Sequence, residues 1–218
     1  MYVRIVKRMI DIIVSIAGMI LASWLYILLI IAIEIDDPGP VFFSQERVGK
    51  GKTHFKLYKF RSMKTSTPHD VPTHLLDDPE QYITRVGRFL RRTSLDEIPQ
   101  LFNILKGDMS VVGPRPALWN QYDLVEERDK YGANDVLPGL TGWAQINGRD
   151  ELEIPVKAKL DGVYANKLRE GGFRAFLFDV RCFIGTAVPA LRGDGVVEGG
   201  TGEIHKHEQD AESGKANE

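Results

Sequence analysis

The chain has 218 residues, enough for one domain, or a domain plus an anchor, with a real core. Its 28 Lys/Arg and 30 Asp/Glu leave a net charge of −2. A single cysteine, Cys182, excludes an internal disulfide and fits a reducing compartment. There is no zinc-type Cys/His spacing, and His205 and His207 sit in a polar tail where solvation is the plain reading. The charge is uneven. Between Arg47 and Lys64 lie Arg47, Lys50, Lys52, Lys56, Lys59, Arg61 and Lys64 with no acidic residue. Such a stretch attracts phosphates, nucleic acid or anionic lipid headgroups; a solvated basic face is the bland alternative.

In chain order, the first element is the run Ile12 to Ile33, 22 residues without a charge. As helix it spans roughly 33 Å, enough to cross a bilayer core. It is too long for a signal-peptide core and has no small-x-small cleavage site after it, so the run predicts membrane residence. Arg4, Lys7 and Arg8 precede it, and Glu34, Asp36 and Asp37 follow. By the positive-inside rule the N-terminus is cytoplasmic, and a straight span would export everything after Asp37. No proline bends the run, although Gly18 and Ser23 can assist a bend.

Pro38-Gly39-Pro40 makes a rigid exit. Thr53–Ser62 alternates loosely as a strand, with Gly49–Lys52 as a hairpin turn. Residues 66–81 read as a surface loop, and 82–92 and 97–106 as short helices, the second stopped by Gly107. The Gly-rich stretch Pro138–Arg149 reads as a structured loop without helical period. A helix from Pro155 to Leu168 places Val156, Leu160, Val163, Tyr164 and Leu168 on one side. Another, from Phe173 to Leu191, carries the stripe Phe173, Phe176, Leu177, Val180, Phe183, Ile184, Ala187, Val188 and Leu191. That stripe either packs on the core or lies in a membrane interface. Beyond Arg192 the chain is Gly-rich and acidic and reads as disordered.

Three clusters carry chemistry. In Thr93-Ser94-Leu95-Asp96-Glu97-Ile98-Pro99-Gln100, Ser94 and Glu97 have the spacing of a capping box. Pro99 fits a helix that starts at Asp96 better than one capped by Ser94. Either register puts Asp96 and Glu97 at a helix N-terminus, where a carboxylate stays ionised. Such a pair can hold Mg²⁺, or one member can act as a nucleophile on phosphorus. In Gly107–Pro116, Pro114 and Pro116 fix the backbone on either side of Arg115, a device that suits two-point grip of a phosphate. In Pro138–Arg149, glycines allow close backbone approach and Trp143 offers either a stacking face or plain core.

Together these stretches resemble the small monotopic phosphoglycosyl transferases of the bacterial sugar transferase superfamily, the polyprenol phosphate phosphoglycosyl transferases. The likeness runs through Lys7-Arg8 with Asp11, Pro38-Gly39-Pro40-Val41-Phe42, Tyr58-Lys59-Phe60-Arg61-Ser62-Met63, Ser94-Leu95-Asp96-Glu97, Gly107–Pro116 and Pro138–Arg149. It covers about residues 3–192.

The resemblance implies a mixed α/β, mainly helical fold, a monotopic membrane protein with an N-terminal re-entrant membrane helix and amphipathic interfacial helices. Residues 1–37 would be the membrane helix and flanks, 38–192 the catalytic domain and 193–218 an acidic tail. It implies Asp96 as nucleophile, Glu97 as its partner, and Mg²⁺ held by Asp96 and Glu97. Arg115, with Lys59 and Arg61, would bind substrate phosphate. Pro114, Pro116, Trp143, Gln145, Asn147 and Arg149 would lie near the nucleotide-sugar. The implied partners are a UDP-sugar, a polyprenol phosphate and membrane lipid, with no nucleic acid, on the cytoplasmic face of the inner membrane. A re-entrant helix overrules the straight span. One departure stands out: the family's usual Ser-Pro bend is here Ser23-Trp24. The alternatives are a glycosyl transferase that moves sugar without phosphate, and a non-catalytic membrane scaffold.

Overall fold

The charge-free run does form one helix. A computed structural model describes residues 2–67, 79–148 and 152–192; Arg149, His205, His207 and the tail lie outside them. A π-helical turn at Tyr2–Val6 leads into α1, Lys7–Asp36, which continues without interruption. Ser23 Oγ bonds the Ile20 carbonyl at 2.7 Å, the local bond expected of a serine at that place. Among the described residues α1 alone is long and apolar enough to cross a membrane.

The two faces of α1 have different neighbours. Lys7, Asp11 and Ser15 near its start, and Leu29 and Ile33 near its end, are buried against the rest of the chain. At mid-length Gly18 lets the segment around Leu101 approach, since a Cβ there would lie 3.0 Å from Leu101 Cδ1. On the opposite side Ile13, Ile16, Ile20, Trp24, Ile27 and Ile31 are exposed, at helical steps of three and four.

Strands β1 (Phe42–Val48) and β2 (His54–Phe60) pair antiparallel, from Phe42↔Phe60 to Val48↔His54, around the expected turn. Helix α2 (Arg85–Thr93) starts at Thr84, whose hydroxyl accepts from Gly87 N at 2.9 Å. A 3₁₀ turn at Leu95–Glu97 leads into α3, Gln100–Lys106, which Gly107 ends as the sequence predicts. Then β3 (Ser110–Val112) runs to α4 (Tyr122–Asp129), and β4 (Gly139–Thr141) returns parallel to β3. The short α5 (Trp143–Ile146) and the long α6 (Ile154–Glu170) and α7 (Gly172–Arg192) complete the order. The fold is mainly helical mixed α/β, as expected, with two small sheets among the described residues.

Leu57 of β2 belongs to a core with Ile104, Met109, Val112, Tyr164 and Cys182. Phe60, three residues on, joins Leu29, Ile33 and Leu90 in a second. The hairpin therefore ties the end of α1 to the centre of the fold.

Several sequence expectations need correction. Pro138–Arg149 holds a strand and a short helix, β4 and α5, and not a loop throughout. α4 has no apolar stripe to announce it. On α6 the buried line is Ala158, Asp161, Gly162, Tyr164, Ala165 and Leu168, while Val156 and Val163 are exposed. On α7 it is Ala175, Asp179 and Cys182, and Phe173, Leu177, Phe183 and Ile184 face outward. The helices pack through small residues and paired polar ones, which a search for large apolar side chains passes over.

Close packing has a measurable consequence at α2. A Cβ on Gly87 would fall 1.9 Å from the carbonyl oxygen of Ser62, backbone that cannot swing aside. Gly87→Ala is expected to cost about 1–3 kcal/mol or more, a Tm loss of several degrees in thermal unfolding of the detergent-solubilised protein. An unchanged Tm would mean that α2 can move off Ser62 freely.

Candidate active site

Three separate segments deliver the charged groups. The 3₁₀ turn between α2 and α3 presents Asp96 and Glu97, at 2% and 5% exposure. Strand β2 presents Lys59, and the Pro-Arg-Pro segment after β3 presents Arg115. Lys59 Nζ lies 3.0 Å from Glu97 Oε1 and 3.4 Å from Asp96 Oδ2. Arg115 Nη2 lies 3.0 Å from the same Glu97 oxygen. Two buried carboxylates thus face two cations, and the paired charges make their burial tolerable. The cations are the outer members, with side chains 16% and 19% exposed. An anion entering the site meets them first.

The turn itself departs from the expected capping box. Ser94 has φ +55 and makes no side-chain cap bond; its conformation closes α2 and redirects the chain into Leu95–Glu97. Non-glycine residues seldom adopt this left-handed geometry. Pro99 precedes the first residue of α3, so its missing N–H costs no helical bond.

Asn103, which the sequence reading did not single out, sets the distance between turn and strand. It is fully buried on α3. Its Oδ1 accepts from Tyr58 N at 3.0 Å, and its Nδ2 donates to the Lys56 carbonyl at 2.7 Å. An asparagine side chain thereby acts as a third strand edge for β2, next to Lys59. Only its position four residues before a helix-ending Gly-Asp hints at this.

The other candidates lie elsewhere. Arg61 sends Nη1 to Asp37 Oδ2 at 2.7 Å and Nη2 to the Asp37 carbonyl, so it fastens the end of α1 to β2. Trp143 packs on Phe178 of α7, ring centroids 4.8 Å apart, with the Arg181 guanidinium 4.8 Å over its ring. Gln145 Nε2 donates to the Leu140 carbonyl and Asn147 Nδ2 to the Trp143 carbonyl, local bonds that shape β4–α5. Pro114 and Pro116 flank Arg115 as the sequence implies.

Behind Arg115 a buried polar network joins α1, β3, α6 and α7. Asp179 accepts from Tyr2 at 2.5 Å, Lys7 at 3.0 Å and Tyr164 at 2.8 Å. Burial, then the Asp179 charge, raises the Tyr164 hydroxyl well above its usual pKa. Burial likewise pushes the Cys182 thiol up to about 12, so this cysteine is a core residue and not a reactive one.

Asp96 and Glu97 are also the pair that could hold a metal. Among the described residues no group of three or more His, Cys, Asp or Glu side chains gathers into a protein-only cage. One or two carboxylates completed by phosphate oxygens and water are what Mg²⁺ ordinarily takes, so the residues present fit that ion in company with a phosphate substrate.

Comparison with known proteins gives the family. The family model for bacterial sugar transferases matches residues 2–193. An uncharacterized sugar transferase, EpsL, of Bacillus subtilis is 37% identical over 88% of this chain and 90% of its own. An undecaprenyl-phosphate galactose phosphotransferase of Salmonella typhimurium is 37% identical over 88% of this chain and 42% of its own. A UDP-glucose:undecaprenyl-phosphate glucose-1-phosphate transferase of Escherichia coli is 44% identical over 66% of this chain and 32% of its own. The chain thus spans nearly all of the first and well under half of the other two. With the match running from the first turn before α1 to the end of α7, the chain belongs to the bacterial sugar transferase family.

Proposed function

We propose that the chain is a phosphoglycosyl transferase, which moves a sugar-1-phosphate from a UDP-sugar to a polyprenol phosphate, undecaprenyl phosphate by analogy with the relatives' names. The observation that carries this reading is the buried Asp96–Glu97 pair bracketed by Lys59 and Arg115. A diphosphate competes with Glu97 for both cations, and drawing them outward uncovers Asp96. The Asp96 carboxylate then forms an O–P bond at the β-phosphorus, and the bond to the bridging oxygen breaks with its electron pair leaving on UMP. Lys59 and Arg115 offset the charge that would otherwise repel one anion from another. A polyprenol phosphate oxygen attacks the same phosphorus, and the Asp96 carboxylate departs. Mg²⁺ held by Asp96 and Glu97 would supply further charge neutralisation at the phosphates.

The same reading places the domain on the cytoplasmic face with α1 re-entrant. Both ends of α1 are fastened to one domain, through Lys7 and Asp179 at the start and Asp37 and Arg61 at the end. A crossing helix would have to give up one of these attachments and leave buried charges unpaired. The exposed isoleucines on the outer face of α1 favour lipid over water, by about 1.5–3 kcal/mol for each fully transferred side chain.

Three outcomes are expected. Incubation with the right UDP-sugar alone should release UMP in about enzyme-stoichiometric amount and add the phosphosugar mass to a peptide containing Asp96; Asp96→Asn should abolish both. Release of UDP instead of UMP would point to sugar transfer without phosphate, and steady turnover by Asp96→Asn would remove Asp96 as nucleophile. Arg115→Lys should lose roughly tenfold or more in kcat/KM, about 1.4 kcal/mol, because one ammonium cannot reproduce a two-point grip. Normal kinetics in that variant would make Arg115 incidental. For topology, single cysteines at the exposed Val3 and Tyr122, in a Cys182→Ser background, should both resist an impermeant thiol reagent in intact cells and react once the inner membrane is opened. Labelling of the Tyr122 site in intact cells would show a crossing helix.

A further inference from the structure

The segment that carries Arg115 is held by its carbonyls. Pro114 and Pro116 have no N–H, so the backbone offers no donor on the residues flanking Arg115. Pro114 O accepts from Gly139 N at 2.8 Å and Ala117 O from Val48 N at 2.9 Å. Between them, Arg115 O accepts from Arg128 Nη2 at 2.9 Å and Pro116 O from Arg47 Nη1 at 3.1 Å. Four successive carbonyls meet donors from β4, α4 and β1.

The Arg128 donor is the most deeply set of these side chains. Arg128 is 4% exposed, and its Nε and Nη2 lie 2.8 and 2.6 Å from Oδ2 of Asp161 on α6, itself 1% exposed. Burial raises the Asp161 carboxyl above its usual pKa even with the Arg128 charge opposing, which shows how costly the location is. A buried ion pair of this kind often holds two helices no better than apolar residues of similar volume. Apolar residues cannot donate to the carbonyl of Arg115.

We propose that Arg128, oriented by Asp161, is the positioning residue for Arg115, fixing its peptide from behind so that its guanidinium is delivered to Glu97 and to an incoming phosphate. The activity part of this inference rests on the phosphoglycosyl transfer reading; the backbone part does not. Asp161 locks the Arg128 fork by one edge, and the free Nη2 hydrogen reaches the carbonyl. Because Pro116 follows, rotating that carbonyl also swings the backbone that aims the Arg115 side chain.

The test exchanges the pair together, Arg128→Met with Asp161→Leu, in the full-length protein in detergent, so that no buried charge is left alone. Hydrogen exchange at the amides of Gly113, Arg115, Ala117 and Leu118 should rise at least tenfold while α6 keeps its protection. The kcat/KM for UMP release from UDP-sugar with polyprenol phosphate should fall tenfold or more. In an Arg115→Lys background the same exchange should cost less than a further twofold, since the residue it positions is already impaired. Arg128→Lys, with one donor head in place of the fork, should give the same local rise in exchange and a loss in the same direction. Unchanged exchange at 113–118 in both variants, or losses that multiply in full with Arg115→Lys, would overturn the proposal and make the pair a plain helix fastener. If the parent protein released no UMP from any UDP-sugar, the functional reading would fall, and the exchange measurement would still decide this one.

Discussion

Lys7 carries its ammonium into the interior, where it meets Asp179 Oδ2 and the Val112 carbonyl, each at 3.0 Å. Asp11, one turn on, accepts from Ser110 Oγ at 3.0 Å and from Val111 N at 2.9 Å. Both contacts fall on β3, the strand that runs straight into Gly113-Pro114-Arg115-Pro116. The first turns of the apolar helix therefore set the position of the segment that presents Arg115. Arg8 adds a third attachment by donating to the carbonyls of Ile104 and Leu105 at 2.6 and 2.7 Å, the open end of α3. The net stabilisation from such buried pairs is small, because desolvation offsets most of the attraction. Their effect is geometric, since any other placement of α1 leaves Asp11 without these partners and Asp179 without its Lys7 counter-charge.

The candidate site faces an electrostatic conflict that this framework resolves. A carboxylate and a phosphate about 4 Å apart repel by about 4 kcal/mol at the effective dielectric of a partly buried site. Lys59 and Arg115 compensate the carboxylates while the site is empty, and under the proposed function the phosphates when it is filled. Charges that serve both states need fixed backbones beneath them, because a flexible cation would follow either partner and hold neither. Asn103 fixes β2 at Lys59, and the clamped carbonyls fix Arg115. The glycines between β3 and β4 serve the same end: a Cβ on Gly113 would lie 2.4 Å from the Leu137 carbonyl, and one on Gly139 2.1 Å from Gly113 N.

Much of this was legible in the sequence, and for identifiable reasons. A long charge-free run can hardly be anything but a membrane-length helix, and Pro-Arg-Pro can hardly fail to present its arginine. Asp96, Glu97 and Arg115 stand out as charged residues beside turn-formers and Lys59 as part of the basic stretch, and the structure brings these four together. Arg61 shared the same basic stretch yet binds Asp37, because it lies just past the end of β2, beside the end of α1. Asn103, Asp161 and Asp179 were illegible as partners. Each lies on a helix with no local cue to its partners, which are 33 to 177 residues away in some of its bonds.

The same long-range pairing explains why apolar periodicity did not mark the buried side of α6. It also explains why, of the two readings open for the α7 stripe, packing on the core fails for Phe173, Leu177, Phe183 and Ile184. In a protein with one non-aqueous environment, the apolar side of a helix marks the core. Here the exposed line of α1 and the exposed Phe173, Leu177 and Ile184 of α7 are as apolar as any core, while the buried lines carry Asp161 and Asp179. Under the proposed membrane residence there are two apolar destinations, lipid and core, and large side chains are rewarded in either. Small residues are rewarded only where another element approaches closely, as Tyr131 does at Gly162, where a Cβ would lie 2.3 Å from its own Cβ. Buried acids are tolerated only where a paired donor waits. In such a chain large apolar residues occur both in the core and on the outer faces, and alanine, glycine and matched charge tell the two apart.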